Sequence, residues 1–316
     1  MTCAALGGML NSGAVHVVQR SINMKTIIVT GTSTGIGFAA AVALARAGHD
    51  VFATMREPGR SPELENVARK DGVSITVLPL DVDSDASVSA GVAKVLEARE
   101  RIDVLVNNAG IASVGSVEET PINEFRRVME TNYFGALRCT QAVLPGMRVQ
   151  RSGHIINVSS VAGRMASAGQ SAYCASKFAL EALSESLATE AKPFNIRVSI
   201  VEPGVIATPI FGKDRDVSRD VYPGARRMSA IFAAALEQPV PASVLGDQIR
   251  DIVADESWQL RYPGGPAAAG ILGWRASLTD EQHVALGALD DGEWCDYVQN
   301  NLGLNVRKHL ASAALD

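Results

Sequence analysis

Tyr173 and Lys177 stand four residues apart within residues 171–191, a segment that we predict to be helical. Four residues is a little over one helical turn, so both side chains would project from the same face and be able to meet. A phenol titrates near pH 10 in water, and a fixed ammonium beside it favours the phenolate. The pair therefore predicts that Lys177 lowers the pKa of Tyr173, which then acts as a general acid or base at neutral pH.

Ser160 adds a hydroxyl thirteen residues before Tyr173. Strand alternation points the neighbouring Ser159 to the other face, so Ser160 is the candidate of the two. The trio alone is only suggestive. An ordinary helix that carries one tyrosine and one lysine, with a serine at this distance, is expected by chance in roughly two per cent of chains of ordinary composition.

A second, independent signal is the glycine-rich turn TGTSTGIG at residues 30–37. It lies between a strand-like run at 25–30 and a helix-like run at 38–47. In that context, glycines permit a tight turn and let backbone amides approach a pyrophosphate at the positive end of a helix. Gly37 would let the helix pack closely on the strand. The turn therefore predicts a dinucleotide site, with an ordinary surface turn as the alternative.

Composition fits a compact enzyme. The chain has 316 residues, 47% of them hydrophobic, which is enough for one large domain without a stabilising metal or disulfide. Its four cysteines are scattered without zinc-ligand or redox-pair spacing, so we expect reduced thiols in a cytoplasmic protein. The formal net charge of -5 argues against nucleic acid or an anionic membrane as the main partner, and no apolar run approaches a membrane span.

Strand-like and helix-like runs alternate along the chain with short connections. This pattern predicts an α/β fold with a doubly wound parallel sheet and helices on both faces. The predicted strands cover residues 25–30, 50–55, 74–79, 102–107, 154–159, 196–201 and 258–262, and the two long helices cover 122–147 and 171–191. The carboxyl ends of the strands would share one edge, where such sheets bind ligands.

We predict a single domain at residues 24–316, in which residues 205–316 supply a substrate lid and a C-terminal lobe. Residues 1–23 lack the basic start and apolar core of a secretory signal, and Met24 directly precedes the first strand. We therefore expect Met24 to be the biological start, and 1–23 to be a disordered extension or an over-extended reading frame. A short arm packed on the surface is the alternative.

The motifs stand in an order and spacing that resemble the short-chain dehydrogenase/reductase family, in its single-domain form. The resemblance runs from about residue 25 to residue 208 and rests on the glycine turn, the sequence NNAG at 107–110, Ser160, Tyr173 with Lys177, and Pro203-Gly204. Asn132, in the sequence TNYFG, matches the family's fourth catalytic residue. The resemblance implies a Rossmann-type fold and a homodimer or homotetramer paired through the two long helices.

The resemblance also implies a nicotinamide oxidoreductase in which hydride passes between the cofactor and a carbonyl carbon, while Tyr173 handles the proton of the oxygen. Lys177 would also bind the nicotinamide ribose, Ser160 would hold the substrate oxygen, and Asn132 would fix a water molecule of the proton relay. Two plainer interpretations stay open. Ser160 could cap the loop that follows it, and Asn132 could be a buried polar residue bonded to helix backbone.

By the same resemblance, the cofactor site extends across several strand ends. It would comprise Gly31, Ser33, Thr34, Gly35, Ile36, Gly37, Arg56, Asp81, Val82, Asn107, Ala109, Gly110, Tyr173, Lys177, Pro203, Gly204, Val205 and Thr208. The NNAG sequence would support the centre of the sheet and let the nucleoside pass close by, although it could be only a strand-to-loop turn. Asp81 would contact the adenine amino group, and helix capping is its alternative role.

Cofactor choice depends on the end of the second strand, where an acidic residue would bind ribose hydroxyls and repel a 2'-phosphate. This chain has the uncharged Met55 there, followed by Arg56, whose forked cation suits a phosphate. Hydroxyls of the glycine turn could assist. We therefore predict a preference for NADP(H) over NAD(H). The alternative is that Arg56 is a solvated surface charge.

The substrate is the least determined feature. Eight apolar residues after Pro203 could line a pocket for a bulky ketone or alcohol, or could be plain core: Ile206, Ile210, Phe211, Val221, Tyr222, Met228, Ile231 and Phe232. The charged run 213–216 is predicted to be a mobile lid segment, and the tail after 263 to serve either the pocket or a subunit contact. Residues 53–56 and the lid resemble steroid and retinoid dehydrogenases, which implies a hydrophobic small-molecule carbonyl or alcohol. A non-catalytic dinucleotide sensor or scaffold, and an epimerase or dehydratase, are the alternative functions.

Overall fold

The computed structural model describes residues 24–212, 215–216 and 221–312. Its first half alternates strands and helices in the predicted manner. The elements are β1 (Thr26–Thr30), α1 (Gly35–Arg46), β2 (Asp50–Met55), α2 (Glu63–Asp71), β3 (Ile75–Pro79), α3 (Asp85–Arg99), β4 (Val104–Asn107) and the short β5 (Ser113–Val114).

The second half continues the alternation and then becomes helical. Its elements are α4 (Ile122–Met129), a π-helical turn (Glu130–Phe134), α5 (Gly135–Gln150), β6 (Gly153–Val158), α6 (Ser171–Ala191), β7 (Ile196–Pro203), β8 (Arg215–Asp216), α7 (Gly224–Ala235), α8 (Ser243–Ala254), β9 (Arg261–Gly264), α9 (Ala268–Ala276), α10 (Asp280–Ala285), α11 (Asp291–Leu302) and α12 (Arg307–Ser312). Among the described residues, no helix combines the length and the apolar character needed to cross a lipid bilayer.

Seven strands form one parallel sheet in the order β3-β2-β1-β4-β6-β7-β9. The strand order reverses between β1 and β4, which opens a crevice at the carboxyl edge of the sheet. The two-residue strands β5 and β8 pair separately, also in parallel. The predicted doubly wound, Rossmann-type α/β fold is thereby confirmed.

Both faces of the sheet are covered by helices, because alternate side chains of each strand point to opposite sides. In β1, Ile27 and Val29 pack with α1 and α8 on one face. Ile28 packs on the other face, in a cluster with residues of α3 and α5. A third, smaller core joins α7 to α11 and α12 through residues that include Ala230, Trp294 and Val298.

Several element boundaries differ from the sequence prediction by one to three residues. The predicted helix 122–147 is divided by the π-helical turn and extends to Gln150. The last strand covers Arg261–Gly264 rather than 258–262, and before it the Trp258 indole donates a hydrogen bond to Val198 O (2.7 Å). The predicted extension at 1–23 lies outside the described residues.

Candidate active site

A large cavity of about 2230 Å³ lies at the carboxyl edge of the sheet. Most of the predicted cofactor residues line its wall: Gly31, Ser33, Thr34, Gly35, Ile36, Arg56, Asp81, Val82, Ala109, Gly110, Tyr173, Lys177, Pro203, Gly204, Val205 and Thr208. The volume exceeds that of a usual small-ligand pocket, so the cavity has room for a dinucleotide beside a second molecule.

The glycine turn forms a close-fitting floor at one end of this cavity. Gly31 and Gly35 have φ angles of 70° and 63°, a left-handed conformation that favours glycine. A Cβ atom at residue 31 would lie 2.7 Å from the Cα of Ala109, and one at residue 35 would lie 3.2 Å from the Cβ of Thr208. A side chain at either position would therefore push back the part of the cavity wall that Ala109 and Thr208 form.

The N-terminus of α1 opens onto the same floor. Thr34 precedes the helix in an extended conformation, and its side chain makes no capping hydrogen bond. The N–H groups of the first turn are therefore left without a helical partner, and they carry the positive end of the helix dipole. An uncapped helix start behind a glycine cradle is suited to a pyrophosphate.

Gly37 has a packing role, and it is absent from the cavity wall. A Cβ atom on Gly37 would lie 2.3 Å from Asn108 Nδ2 and 2.5 Å from Gly31 O. Asn108 Nδ2 donates hydrogen bonds to Thr30 O (2.9 Å) and Gly31 O (3.1 Å), which ties the turn to the end of β4. The prediction of close helix packing at Gly37 agrees with this geometry, and the inclusion of Gly37 among the cofactor-binding residues stays a prediction. Asn108 was missed, although the NNAG sequence contained it.

Asn107 also lies behind the wall rather than in it. Its buried side-chain amide donates hydrogen bonds to Asn157 Oδ1 (2.8 Å) and Thr140 Oγ1 (3.1 Å). Asn107 therefore joins β4 to β6 and α5, as expected for a support of the sheet centre. Its side chain turns from β4 into the helix layer, and its place among the cofactor-binding residues stays a prediction.

The outer end of the cavity carries the residues predicted to select the cofactor. Arg56 is exposed, lines the wall, and makes no hydrogen bond within the described part of the chain. Asp81 accepts a hydrogen bond from the Asp83 N–H (3.2 Å), while Ser84 caps α3. Helix capping by Asp81, the alternative interpretation, is therefore wrong.

Tyr173 and Lys177 meet as predicted at the inner end of the cavity. Lys177 Nζ lies 5.7 Å from the centroid of the Tyr173 ring and donates a hydrogen bond to Val158 O (2.9 Å). Burial lowers the pKa of Lys177 to about 8, against the raising effect of Glu181. Burial also raises the pKa of Tyr173 to about 12, although a hydrogen bond with Ser160 acts in the opposite direction. Desolvation is the largest effect on Tyr173, whose pKa is therefore raised and not lowered as the sequence predicts.

Ser160 joins this pair and also caps the turn that follows it. Its Oγ accepts a hydrogen bond from the Ala162 N–H (3.1 Å) and donates one to Pro203 O (3.4 Å). The capping interpretation is thus correct. It does not remove Ser160 from the site, because the residue lines the cavity beside Tyr173.

Asn132 lies in the π-helical turn, is buried and does not line the cavity, and three hydrogen bonds hold its side chain. Its Oδ1 accepts a hydrogen bond from the Ile111 N–H (2.9 Å), and its Nδ2 donates to Ile111 O (3.0 Å) and Ser176 Oγ (2.9 Å). Asn132 therefore ties α6 to the loop after β4. The main chain of Ile111, and not helix backbone as in the plainer interpretation, is its chief partner.

The C-terminal lobe forms the remaining, mostly apolar wall. Seven of the eight predicted pocket residues line it, and the exception is Val221, which is largely exposed. Phe211 and Phe232 stack with their ring centroids 4.8 Å apart. Residues of the tail that sequence reasoning left unassigned also line the cavity: Ile271, Trp274, His283, Trp294, Tyr297 and Leu304.

Comparison with known proteins places this arrangement in a class. The family model described as short chain dehydrogenase matches residues 25–218, and the chain belongs to that family. Human retinol dehydrogenase 8 is 43% identical over 205 residues, which cover 63% of this chain and 65%, less than two thirds, of that protein. A crystal structure of a short-chain dehydrogenase from Streptomyces avermitilis has 36% identity and a TM-score of 0.72, covering 85% of this chain and 99% of that chain.

The family binds nicotinamide dinucleotides, but its solved members differ in which one. A metagenomic short-chain oxidoreductase in complex with NADP has 26% identity and a TM-score of 0.63, covering 77% of this chain and 98% of that chain. Xylitol dehydrogenase bound to NAD+ has 27% identity and a TM-score of 0.66, covering 76% and 98%. No metal-binding group of three or more His, Cys, Asp or Glu side chains occurs in the described ranges.

Proposed function

We propose that the protein is an NADP(H)-dependent oxidoreductase that interconverts a hydrophobic ketone or aldehyde and the corresponding alcohol. One observation supports this most strongly. Ser160, Tyr173 and Lys177 lie together in the cavity wall, between the glycine cradle of one end and the apolar lobe of the other. Reactive polar groups thus stand where a dinucleotide and an apolar substrate would meet.

The residues present fit a nicotinamide dinucleotide. The turn at 31–35 offers close backbone approach, and the uncapped start of α1 offers free N–H groups for a pyrophosphate. When bound, the nicotinamide supplies or accepts the hydride at the substrate carbon. Lys177, near the inner end of the cradle beside Gly110, would hold the nicotinamide ribose.

Tyr173 would move the proton at the substrate oxygen. With its pKa raised to about 12, the phenol is protonated at neutral pH and is therefore in the form that donates a proton to a carbonyl oxygen during reduction. Ser160 would hold the same oxygen through its hydroxyl. Lys177, as an ammonium, would stabilise the phenolate that remains after the transfer. In the direction of alcohol oxidation, the same phenolate would be the base.

Asn132 would contribute indirectly to this chemistry. Because its side chain bonds Ile111 and Ser176, it fixes α6, which carries both Tyr173 and Lys177, against the cavity wall.

Preference for NADP(H) is supported by the absence of an acidic side chain at the end of β2 and by the exposed Arg56 beside it. A guanidinium that makes no hydrogen bond with the residues described, at the wall where β2 ends, is suited to a 2'-phosphate. Met55 neither binds ribose hydroxyls nor repels phosphate.

A hydrophobic substrate is supported by the walls of the lobe and by the likeness to retinol dehydrogenase 8. The aromatic side chains Phe211, Phe232 and Trp274 offer a large apolar surface beside the catalytic trio. A cytoplasmic location and a homodimer or homotetramer remain predictions from the sequence and the resemblance.

The decisive experiment mixes the purified protein with NADPH or NADH and follows the loss of nicotinamide absorbance over a panel of apolar ketones and aldehydes. We expect turnover with NADPH, and a loss of about 100-fold or more in kcat/KM for Tyr173→Phe. Nucleotide binding without turnover of any compound would favour the sensor function. Nucleotide retained tightly through purification, without net consumption, would favour an epimerase or dehydratase.

A further inference from the structure

Glu181 is a buried carboxylate immediately behind the site. It lies on α6, one turn after Lys177, and is only 4% exposed. Its Oε2 accepts a hydrogen bond from Arg261 Nε (3.0 Å), whereas its Oε1 is buried and has no hydrogen-bond partner among the described residues. Burying a carboxylate oxygen without a hydrogen-bond partner lowers the stability of the folded state, so the presence of Glu181 at this position points to a role other than stability.

Lys177, one turn before Glu181 on α6, is a buried lysine whose ammonium form a nearby negative charge would stabilise. It too is 4% exposed, it donates to the neutral Val158 O, and it forms no ion pair within the described part of the chain. A buried ammonium without an anion tends to lose its proton. Residues four apart on a helix are neighbours, and the charge of Glu181 raises the pKa of Lys177 against the lowering caused by burial.

Arg261 supplies a cation beside Glu181, because a guanidinium stays protonated and its Nε donates a hydrogen bond to Glu181 Oε2 (3.0 Å). The second buried carboxylate nearby, Glu202, is less suited. It is 3.6 Å from Arg261 and 3.3 Å from Arg164, and burial together with the charge of Glu181 raises its pKa. Of the two, Glu181 has the closer cation and lies on the helix of Lys177.

We propose that Glu181 is a positioning residue, which holds Lys177 in its ammonium form so that the lysine can act on Tyr173. The role in turnover rests on the proposed function, whereas the effect on Lys177 itself does not. Charged groups of alternating sign thus follow one another in the order Arg261, Glu181, Lys177, the first on β9 and the other two on α6. The strand that leads into the substrate lobe thereby supports the charge of the catalytic lysine.

The other charged groups around Lys177 do not replace this role. On its own helix, Glu185 is exposed and bound to Arg261 Nη2 (2.7 Å). From α4, which packs on α6, Glu124 and Arg127 pair with each other. The remaining groups, from β7, β9 and the turn after Ser160, are Glu202, Arg261 and Arg164.

Glu181→Gln tests the proposal, because it keeps the shape and can still accept from Arg261 but removes the charge. The matched control is Glu185→Gln, which removes a carboxylate bound to the same arginine, one turn further along α6 and exposed to solvent. The direct measurement is the titration of Lys177 by ¹³C NMR of Cε-labelled lysine, assigned with Lys177→Arg, in protein without cofactor. We expect the Lys177 midpoint to fall by about one pH unit in Glu181→Gln and to stay unchanged in Glu185→Gln.

An unchanged Lys177 midpoint in folded Glu181→Gln would overturn the proposal. Should this variant not fold, Glu181→Asp takes its place: a shorter carboxylate, farther from Lys177, should give a smaller fall in the same direction, and no fall would again refute the role. In turnover, the alkaline limb of the kcat/KM profile should move down by about one pH unit in Glu181→Gln only. A uniform loss at every pH would indicate a merely structural role. A shifted NMR titration without turnover of any substrate would leave this inference standing and refute the proposed function.

Discussion

Lys177 Nζ lies 5.7 Å from the centre of the Tyr173 ring, in an environment that changes the two pKa values in opposite directions. Burial lowers the pKa of Lys177 from its ordinary 10.5 to about 8 and raises that of Tyr173 to about 12. Each group is thereby pushed toward its uncharged form. The site thus holds a lysine whose charge costs stability, as expected of a group kept for chemistry rather than for folding.

Replacing Lys177 with methionine should therefore remove a pH-dependent cost to the stability of the protein. The fall of the Lys177 pKa from 10.5 to about 8 corresponds to about 3 kcal/mol, which the folded state loses at any pH below 8, where the lysine is charged in both states. This cost declines as pH rises from 8 toward 10.5, because the folded state then holds the neutral amine. Urea unfolding at several pH values measures it. Relative to the unchanged protein, Lys177→Met should be about 3 kcal/mol more stable at pH 7 than above pH 10.5, while the loss of the hydrogen bond to Val158 O adds a cost on which this difference does not depend.

Lys94→Met is the control for this prediction, since Lys94 is an exposed residue of α3. Its effect on unfolding free energy should be small and the same at each pH. If the effect of Lys177→Met on the free energy of unfolding is the same at pH 7 and above pH 10.5, burial does not lower the pKa of Lys177 in the folded state.

Arg56→Ala should weaken NADPH binding by about tenfold and leave NADH binding nearly unchanged, because the lost contact would be a charge-assisted one to the 2'-phosphate alone. Dissociation constants from fluorescence titration measure both. Arg148→Ala, which removes an equally exposed arginine of α5 outside the cavity wall, controls for net charge. Equal weakening of both nucleotides would contradict the role of Arg56.

Met55→Asp is the converse change and should move the ratio of catalytic efficiencies toward NADH. Met55 is only 3% exposed, so the new carboxylate also risks destabilising the end of β2. The ratio for the two nucleotides is therefore the quantity to compare, since a general loss of stability lowers both efficiencies together. An unchanged ratio in a folded variant would refute the assignment of β2 as the selective strand.

Gly37→Ala should destabilise the glycine turn. The new Cβ would meet Asn108 Nδ2 at 2.3 Å and Gly31 O at 2.5 Å, so the Asn108 amide must move and lose its bonds to the turn. We expect about 3 kcal/mol of destabilisation, or a fall of about 6 °C in Tm. Gly273→Ala in α9, where a Cβ meets nothing within 4 Å, should leave Tm unchanged or slightly raised. Equal changes in Tm for the two alanine variants would show that the close packing at Gly37 does not determine the stability of the glycine turn.

The parts of the site that the sequence predicted are those that local rules govern. Gly31 and Gly35 were predictable because a left-handed backbone and a close approach both select glycine. Tyr173 and Lys177 were predictable because a helical turn brings side chains four apart together. The parallel sheet was predictable because strand-like hydrophobic runs alternate with helical segments, and such an alternation has few other ways to pack.

The parts that failed depend on long-range packing. The raised pKa of Tyr173 reflects burial by elements distant in sequence, which spacing cannot reveal. Asn107 and Asn132 looked like site residues by type and position, yet their amides face other strands and loops. The tail after residue 263 carried no periodic signal of a pocket, since α9, α10 and α11 contribute only a few residues each to its wall.

Trp274→Ala tests whether this tail shapes substrate choice. The Trp274 indole lines the cavity, donates a hydrogen bond to Tyr297 OH (3.1 Å) and meets His283 edge to face, so it is a fixed part of the apolar wall. Removing it should raise KM about tenfold for a bulky apolar ketone and much less for a small one, because only the larger molecule reaches that wall. Trp258→Ala removes a tryptophan that lies outside the cavity and is the matched control. If KM rises equally for large and small ketones, Trp274 supports the fold of the lobe rather than binding of the substrate.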